Sequence, residues 1–331
     1  MTQYKDFIPE NVAPKEAKRI GIYDGDGVRV GTIPLGGLAF PRAGEKLYSF
    51  GALSDVHIGY NTAVADLQKA LSYLSGDVGV DFICICGDLT GDGSDAQLAQ
   101  YKDIVNGYSA GTPVYALAGN HEGMVSGIEN RIAAYTGHPL YYTFTQGEDV
   151  FIMVGTLGGE MYSNGVVFTE GELQWLRDTL EANKNKRCFV FQHIFAGVTN
   201  EPVCGNAGGL YTNWCWHDTQ ECVEFEALMK QYENVTWFHG HSHLCFSRQS
   251  VAEYANLSRA EGYRSVHIPS LAVPRDDTDG DGKADTVYEG SEGYVVDVYE
   301  NGIHLRGRDF INDIDIPIAS YWLDTTIKTV E

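Results

Sequence analysis

Short apolar runs alternate with segments of helical periodicity along most of the chain. Residues 46–53, 80–86 and 113–118 each form an apolar run of strand length, and each run ends in a polar loop. The first two runs are followed by residues 63–74 and 95–105, in which apolar positions recur with the spacing of one helix face. Repeated units of strand, loop and helix predict an α/β fold built around a buried sheet.

The second half of the chain continues this pattern and adds antiparallel elements. A capping box of Thr169 and Glu172 predicts the start of a helix that carries Leu173, Leu176 and Leu180. Periodicity predicts a further helix over residues 221–232. The tripeptide Glu300-Asn301-Gly302 is typical of a hairpin turn. Strands are predicted at residues 140–144, 150–154, 188–192, 235–238, 294–299 and 303–306.

The pattern divides the chain into a short N-terminal part and one large domain. Strand-like residues 19–23 and 28–32 flank an Asp- and Gly-rich turn, so residues 1–45 are predicted to form a β-hairpin appendage. Residues 46–331 are predicted to form the main domain, with a closing β-region at residues 250–331. Within it, residues 196–220 are rich in Gly, Asn and Trp and have no periodicity, which predicts a loop insertion.

Composition narrows the range of partners. The 331 residues include 23 Lys and Arg against 45 Asp and Glu, which gives a formal net charge of −22. An acidic surface repels phosphate backbones and anionic lipids, so we expect neither a nucleic-acid polymer nor a membrane as partner. Hydrophobic residues make up 44% of the chain, which favours a globular protein with a large core. The sequence leaves the oligomeric state open.

The sequence predicts a soluble protein whose cysteines are mainly reduced. The sequence has no apolar run of about 18 residues and no N-terminal signal peptide. We therefore expect a cytoplasmic protein, or a secreted one whose signal peptide has been removed. The seven cysteines are interpreted mainly as buried reduced thiols. Cys204, Cys215 and Cys222 crowd one stretch and leave a disulfide or a zinc site open.

Side chains that can bind metals follow five of the predicted strands. In a parallel or mixed sheet, residues beyond the carboxyl ends of the strands converge even when they are far apart in sequence. The spacing of two in Asp55-Val-His57 and His241-Ser-His243 places both side chains of each pair on one side of an extended segment. The residues at these strand ends are Asp55, His57, Asp88, Asn120, His121, His193, His241 and His243.

The donor set predicts transition metals. Each residue alone has an ordinary alternative, because an Asp after a strand often caps a helix and a single His is usually a packing residue. Five strand ends with ligand chemistry together favour a metal site. Carboxylates, an amide and imidazoles suit Mn, Fe, Zn or Co better than calcium alone. Two such metals can hold a bridging hydroxide for in-line attack on phosphorus, and the ordinary pKa of histidine, about 6.5, suits His121 as general acid.

The order D-x-H, G-D, G-N-H-E, H and G-H-x-H over residues 55–243 resembles that of the calcineurin-like metallophosphoesterase family. The resemblance implies a four-layer α/β/β/α sandwich with two central mixed sheets, whose catalytic domain is residues 46–331. It also implies that Asp88 bridges two divalent metals, that Asn120 binds one of them and that His121 is the catalytic imidazole. The implied ligands are Asp55, His57, Asp88 and His243 for one metal, and Asp88, Asn120, His193 and His241 for the other.

Departures from the family pattern reduce the number of family branches that the sequence fits. The segment after Asp88, Leu89-Thr90-Gly91-Asp92-Gly93, lacks the arginine of phosphoprotein phosphatases and the ligand tyrosine of purple acid phosphatases. Asp92 is either a partner that orients His121 or a solvated loop acid. The G-D-L-T form is similar to that of cyclic-nucleotide and glycerophosphodiesterases. We therefore expect a phosphodiesterase acting on small nucleotide or glycerol-type esters, with a phosphomonoesterase, a nucleotide pyrophosphatase and a non-catalytic metal-binding module as alternatives.

A second cation site is suggested near the C-terminus. Asp277, Asp279, Asp281 and Asp285 occupy positions one, three, five and nine of a calcium-type loop, with Gly282 at position six. Position twelve is a tyrosine rather than the usual glutamate, and the flanks are strand-like rather than helical. Calcium binding and a solvated acidic turn both remain open for this segment.

Overall fold

The computed structural model describes residues 19–23, 29–34, 44–157, 168, 170–194, 220–246, 257–258, 264–276, 286–287 and 289–325. The predicted calcium loop at residues 277–285 lies outside the described residues, and so does the loop insertion at 196–220 apart from residue 220. The side chains of Cys204, Cys215 and Cys222 also lie outside them. These features remain predictions.

Two strands near the N-terminus form a sheet of their own. Strand β1 (Arg19–Tyr23) pairs antiparallel with β2 (Arg29–Pro34), close to the predicted hairpin. The domain boundary placed after residue 45 remains a prediction.

The first large sheet has six strands, and the loops that follow its three parallel strands contain the first candidate metal ligands along the chain. Its strands are β3 (Lys46–Leu53), β4 (Phe82–Cys86), β5 (Val114–Leu117), β14 (Glu292–Tyr299), β15 (Gly302–Asp309) and β16 (Ile314–Asp324). The order across the sheet is β16-β15-β14-β3-β4-β5. Strands β3, β4 and β5 are parallel, whereas β14, β15 and β16 run antiparallel to their neighbours.

The second large sheet is also mixed. Its strands are β6 (Tyr141–Gln146), β7 (Asp149–Val154), β8 (Cys188–Gln192), β9 (Val235–His239), β10 (Leu257–Ser258) and β11 (Arg264–His267). The order is β10-β11-β9-β8-β7-β6, with β7, β8, β9 and β11 parallel. Two short strands, β12 (Arg275–Asp276) and β13 (Thr286–Val287), pair with each other.

Five α-helices are found in the described part of the chain. They are α1 (Ala63–Ser72), α2 (Asp95–Tyr108), α3 (Ile128–Thr136), α4 (Glu170–Ala182) and α5 (Gln220–Gln231). Helix α1 continues as a π-helical turn, Tyr73–Val78, which ends at Gly79 in the left-handed conformation. Among the described residues, no helix combines the length and hydropathy of a membrane span.

Side chains point alternately to the two faces of each sheet, so that both faces are buried and the fold has four layers. On β4, Phe82, Cys84 and Cys86 point into an aromatic core between the two sheets, while Ile83 and Ile85 join a second cluster with α1, α2 and α3. A third cluster packs α4 and α5 against the outer face of the second sheet. The predicted α/β/β/α sandwich with two central mixed sheets is confirmed.

A buried ion pair connects the two sheets at the amino ends of their parallel strands. Arg187 Nη2 lies 2.5 Å from Asp149 Oδ2, which also accepts a 2.5 Å hydrogen bond from the Tyr48 hydroxyl. Arg187 Nη1 donates to the Tyr299 carbonyl at 2.6 Å and to Thr325 Oγ1 at 3.1 Å. Tyr48, Asp149 and Arg187 are each at most 6% exposed, so this end of the sandwich pairs its charges internally.

Candidate metal centre

The predicted metal ligands all follow strands at the opposite, carboxyl end of the sandwich. Asp55 and His57 follow β3, Asp88 follows β4, and Asn120 follows β5 with one intervening turn. In the second sheet, His193 follows β8, while His241 and His243 follow β9. Because these strands are parallel within each sheet, their carboxyl ends lie at the same edge, where ligand sites form in open α/β sheets.

The backbone at these positions is unusual. In the described part of the chain, seven non-glycine residues have left-handed backbone conformations, which residues with a Cβ rarely adopt. Five of the seven are candidate ligands. Such conformations cost about 1–3 kcal/mol each and persist only where the surroundings hold them. The Asp55 amide donates to the Gly87 carbonyl at 3.1 Å, and the His57 amide donates to the Asp88 carbonyl at 2.9 Å. The five are Asp55, His57, Asp88, His241 and His243.

Two glycines allow the loops to approach closely. A Cβ at Gly240 would overlap Ser54 Oγ and lie 2.5 Å from Asp55 Oδ2. A Cβ at Gly119 would overlap the backbone nitrogen and Oδ1 of Asp88. The glycines of the G-H-x-H and G-N-H-E motifs are therefore needed for the contact between strand ends.

The first group of donor atoms comes from Asp55, His57, Asp88 and His243. These atoms all lie within 4.8 Å of one another, and the four side chains are buried. His57 Nε2 and His243 Nε2 are 3.0 Å apart, and His243 Nε2 is also 3.0 Å from Asp55 Oδ1. Two imidazole nitrogens and two carboxylates thus point at one small volume, as ligands of a single ion do.

The second group shares Asp88 with the first. The donor atoms of Asp88, His193 and His241 also lie within 4.8 Å of one another. His193 Nδ1 donates to the Cys86 carbonyl at 2.7 Å, which orients the ring so that Nε2 lies 3.1 Å from Asp88 Oδ2. Asn120 lies beside His121 and keeps Oδ1 buried without a hydrogen bond.

The donor chemistry fits two divalent transition metals. Asp55 Oδ1, Asp88 Oδ2, Asn120 Oδ1 and His193 Nε2 are buried and have no hydrogen-bond partner. Each such atom costs about 1–3 kcal/mol unless something satisfies it, and two cations, one at each donor group, would satisfy all four. Mixed carboxylate, amide and imidazole donors suit Mn, Fe or Zn.

Electrostatics keep His57 and Asp88 in the protonation states that metals need. Burial lowers the pKa of His57 to about 3, so the ring is neutral and its lone pair is available. Burial opposes ionisation of Asp88, but the neighbouring His193 and His121 hold its pKa well below the usual range. Asp88 is therefore a carboxylate. Burial lowers the pKa of His193, but Asp88 and Asp55 outweigh it and raise the pKa to about 9, so a metal bound there would displace a proton from this ring.

His121 lies beside the two donor groups and belongs to neither. Its backbone amide donates to Asp88 Oδ1 at 2.9 Å, and its Nδ1 donates to the Gly91 carbonyl at 2.8 Å. Nε2 is 3.8 Å from Asp88 Oδ2. Burial lowers the pKa of His121, but Asp88 and the Gly91 carbonyl outweigh it and raise the pKa above its ordinary value.

The role of Asp92, which the sequence left open, is resolved by the hydrogen bonds near His121. Asp92 Oδ1 accepts a hydrogen bond from the Ser94 amide at 2.9 Å, so Asp92 stabilises the loop that leads into α2. The His121 ring is oriented by the Gly91 carbonyl instead. His239 is buried, with its ring centroid 5.3 Å from that of His267, and it is in neither donor group.

The sequence did not single out Glu122, which connects two of the ligand loops. Its fully buried carboxylate accepts from the amide and the hydroxyl of Thr90, at 2.8 and 2.7 Å, and from the Gly119 amide at 2.8 Å. These bonds tie the loop after Asp88 to the loop that carries Asn120. Glu122 is the last residue of the G-N-H-E motif, so it was visible in the sequence, but its partners became apparent only in the folded structure.

Comparisons with known proteins agree with this architecture. The family model for the calcineurin-like phosphoesterase matches residues 48–245. A dimetal phosphatase from Danio rerio is 16% identical, with a TM-score of 0.57 over 82% of this chain and 99% of its own. GAP50, described as the anchor in the inner membrane complex of Plasmodium, is 13% identical, with a TM-score of 0.58 over 86% of this chain and 91% of its own.

These two likenesses show the fold alone. Among curated protein sequences, none matches the chain. The match of the family model covers more than half of the chain and includes every candidate ligand. The chain therefore belongs to the calcineurin-like phosphoesterase family.

Proposed function

We propose that the protein is a dinuclear metal-dependent hydrolase of small phosphoric esters. The observation that supports this most is the pair of buried donor groups that share Asp88, with His121 beside both and in neither. When bound, two divalent metals acidify water and neutralise the charge of a phosphoryl group during an in-line displacement. The position of these residues at one edge of the sandwich supports the proposal.

Each residue at this edge has a distinct task in the proposal. Asp55, His57 and His243 hold one ion, and Asp88 is shared with the second. Asn120, His193 and His241 complete the second set. Asn120 is uncharged, so it binds without cancelling the positive charge that attracts the phosphoryl group.

His121 acts as the general acid in the proposed reaction. Its Nδ1 is fixed on the Gly91 carbonyl, so Nε2 carries the proton that is passed to the leaving oxygen. An acid of this kind matters most when the leaving oxygen is a poor leaving group, as in a glycerol or ribose alkoxide.

We further propose that the substrates are phosphodiesters of nucleotide or glycerol type. The net charge of −22 supports small esters over nucleic-acid polymers. The G-D-L-T form and the absence of an arginine after Asp88 support a diesterase over a phosphoprotein phosphatase. A phosphomonoesterase and a nucleotide pyrophosphatase are the alternatives within the same chemistry. A non-catalytic module is the alternative outside it, and the description of GAP50 as an anchor supports keeping that one.

Metal analysis combined with a turnover panel tests this proposal. The protein is stripped with chelator, reconstituted with Mn or Zn, and examined by elemental analysis and with small mono-, di- and pyrophosphate esters. We expect about two ions per chain and turnover of at least one ester class. Absence of stoichiometric metal would contradict the proposal, and two ions without any turnover would favour the binding module.

A further inference from the structure

Tyr60 is an exposed aromatic side chain at the rim of the metal centre. Its ring is 40% exposed and stacks on His57, with centroids 4.9 Å apart and planes inclined by 5°. The Tyr60 amide donates to the His57 carbonyl at 3.0 Å. The same short loop that carries two candidate ligands therefore fixes the position of this ring.

Gly91 provides the space that the ring occupies. A Cβ at position 91 would lie only 2.8 Å from Tyr60 Cε1. The Gly91 carbonyl is also the partner of His121 Nδ1. Tyr60 thus packs between a candidate metal ligand and the segment that orients the proposed acid. The His57 ring also contacts the His121 ring, with centroids 4.6 Å apart.

A second exposed apolar residue, Val125, lies on the other loop that borders His121. Val125 is 37% exposed and follows His121 by four positions. Arg131 ties this segment to the loop after Asp88, since Nη1 donates to the Val125 carbonyl at 3.3 Å and Nη2 donates to the Gly93 carbonyl at 2.6 Å. One exposed apolar residue needs no explanation, but here one lies on each of two segments that border the proposed acid.

We propose that Tyr60 is a substrate-contact residue that receives a flat aromatic group, so that the centre prefers phosphoesters bearing an aryl or nucleobase group over glycerol-type esters. This inference rests on the proposed function and chooses between the two substrate classes left open there. Aromatic pairs contribute a twofold to tenfold gain in affinity beyond simple burial, or about 0.5–1.5 kcal/mol.

Binding of two phosphonates tests the inference without catalysis. Phenylphosphonate and methylphosphonate share the phosphonate group and differ only in the ring, and neither contains a hydrolysable ester. Each is titrated by calorimetry into the metal-reconstituted protein. We expect the wild type to bind phenylphosphonate about threefold to tenfold more tightly, and Tyr60→Ala to bind both within about twofold. Tyr60→Phe, which keeps the ring, should retain the preference.

Tyr108 offers a matched control, because it is also 40% exposed but lies at the last position of α2. Tyr108→Ala should keep the wild-type preference. Metal content is measured for every variant, and Tyr60→Leu, which still covers His57, replaces Tyr60→Ala if the latter loses metal. Equal affinity of the wild type for the two phosphonates, or an unchanged preference in the ring-free variant, overturns the inference and leaves the proposed function standing. Binding of neither phosphonate counts against both.

Discussion

The two ends of the sandwich both bury charged residues, but they differ in how those charges are satisfied. At the amino end, Asp149 accepts from Arg187 and Tyr48, and Arg187 also donates to a carbonyl and a hydroxyl. At the carboxyl end, buried oxygens of Asp55, Asp88 and Asn120 have no hydrogen-bond donor. The buried carboxylate at the amino end has its donors within the chain, whereas the buried oxygens at the carboxyl end would be satisfied by a cation.

The difference follows from donor chemistry. Arginine brings a permanent positive charge and several N–H donors, so it can neutralise and hydrogen-bond a buried carboxylate at once. Neutral imidazole brings one donor and one lone pair, and the Nε2 atoms of His57 and His243 lie 3.0 Å apart. Buried Asp with Arg therefore indicates a structural cross-link, whereas buried Asp with several His indicates a metal site.

Alanine substitution of one aspartate at each end tests this contrast most strongly. Asp88→Ala should lose both ions, because Asp88 belongs to both donor groups, and turnover should fall to background. Asp149→Ala should keep about two ions per chain and its kcat. Elemental analysis and ester hydrolysis of the two purified variants provide the comparison. Retention of stoichiometric metal by Asp88→Ala would contradict the assignment of the carboxyl end.

His121 separates proton transfer from metal binding within the carboxyl end. His121→Ala should keep its metals and lose about 10²–10⁴-fold in kcat on an alkyl or ribosyl phosphoester, the usual range for an acid–base residue. The loss should be clearly smaller on a nitrophenyl ester, whose leaving group needs no proton. His193→Ala is the control, since loss of a ligand should depress both substrates alike. Equal losses for His121→Ala with metals intact would favour an electrostatic role.

The amino end should respond in stability instead. Asp149→Ala leaves Arg187 buried without its carboxylate, and breaking a buried ion pair costs about 3–5 kcal/mol. Chemical denaturation of the metal-free proteins measures this cost without a contribution from bound ions. An exposed pair, Lys184 with Glu181, is the control, and Glu181→Ala should destabilise the protein far less, because solvent screens an exposed pair. A small effect of Asp149→Ala would mean that the pair is replaceable by packing alone.

Glu292 is a third kind of buried carboxylate and gives the smallest effect, one that depends on pH. It is 2% exposed and accepts from the Phe246 amide at 2.7 Å. Burial raises its pKa to about 8, from an ordinary value of 4.5, so the folded protein keeps a proton that the unfolded chain releases. Its contribution to stability is present below pH 4.5 and is lost as pH rises towards 8.

Glu292→Gln should remove this dependence, because the amide keeps an acceptor for Phe246 and has no proton to lose. The free energy of unfolding of the variant relative to wild type should therefore rise between pH 5 and pH 8 by up to a few kcal/mol, since one pKa unit corresponds to about 1.4 kcal/mol. Melting temperatures measured across this range should follow the same trend. Exposed Glu289 on the same segment gives the control Glu289→Gln. A constant difference between Glu292→Gln and wild type across this range would contradict the assignment.

The strands were predicted well where local pattern and burial agree. Lys46–Leu53 and Cys188–Gln192 have the predicted bounds. Cys188–Gln192 is buried at every position, and Lys46–Leu53 is buried from Tyr48 onward. Helix α3, Ile128–Thr136, was not predicted, since only Ile128 and Ile132 are buried and the apolar spacing is short. The end of α1 was placed at residue 74, but the α-helix stops at Ser72 and becomes a π-helical turn. Local periodicity does not determine such ends.

By itself, the sequence determined the types and the order of the groups at the carboxyl ends of the strands, because each follows directly from a short local segment. The family resemblance implied the two ligand sets and the sharing of Asp88. Tertiary structure alone decided the distances between the donor atoms, and that the Gly91 carbonyl rather than Asp92 orients His121. The cross-link of Tyr48 to Asp149, 101 positions apart, was equally invisible in the sequence. Contacts of this range depend on how two sheets pack, which no local pattern specifies.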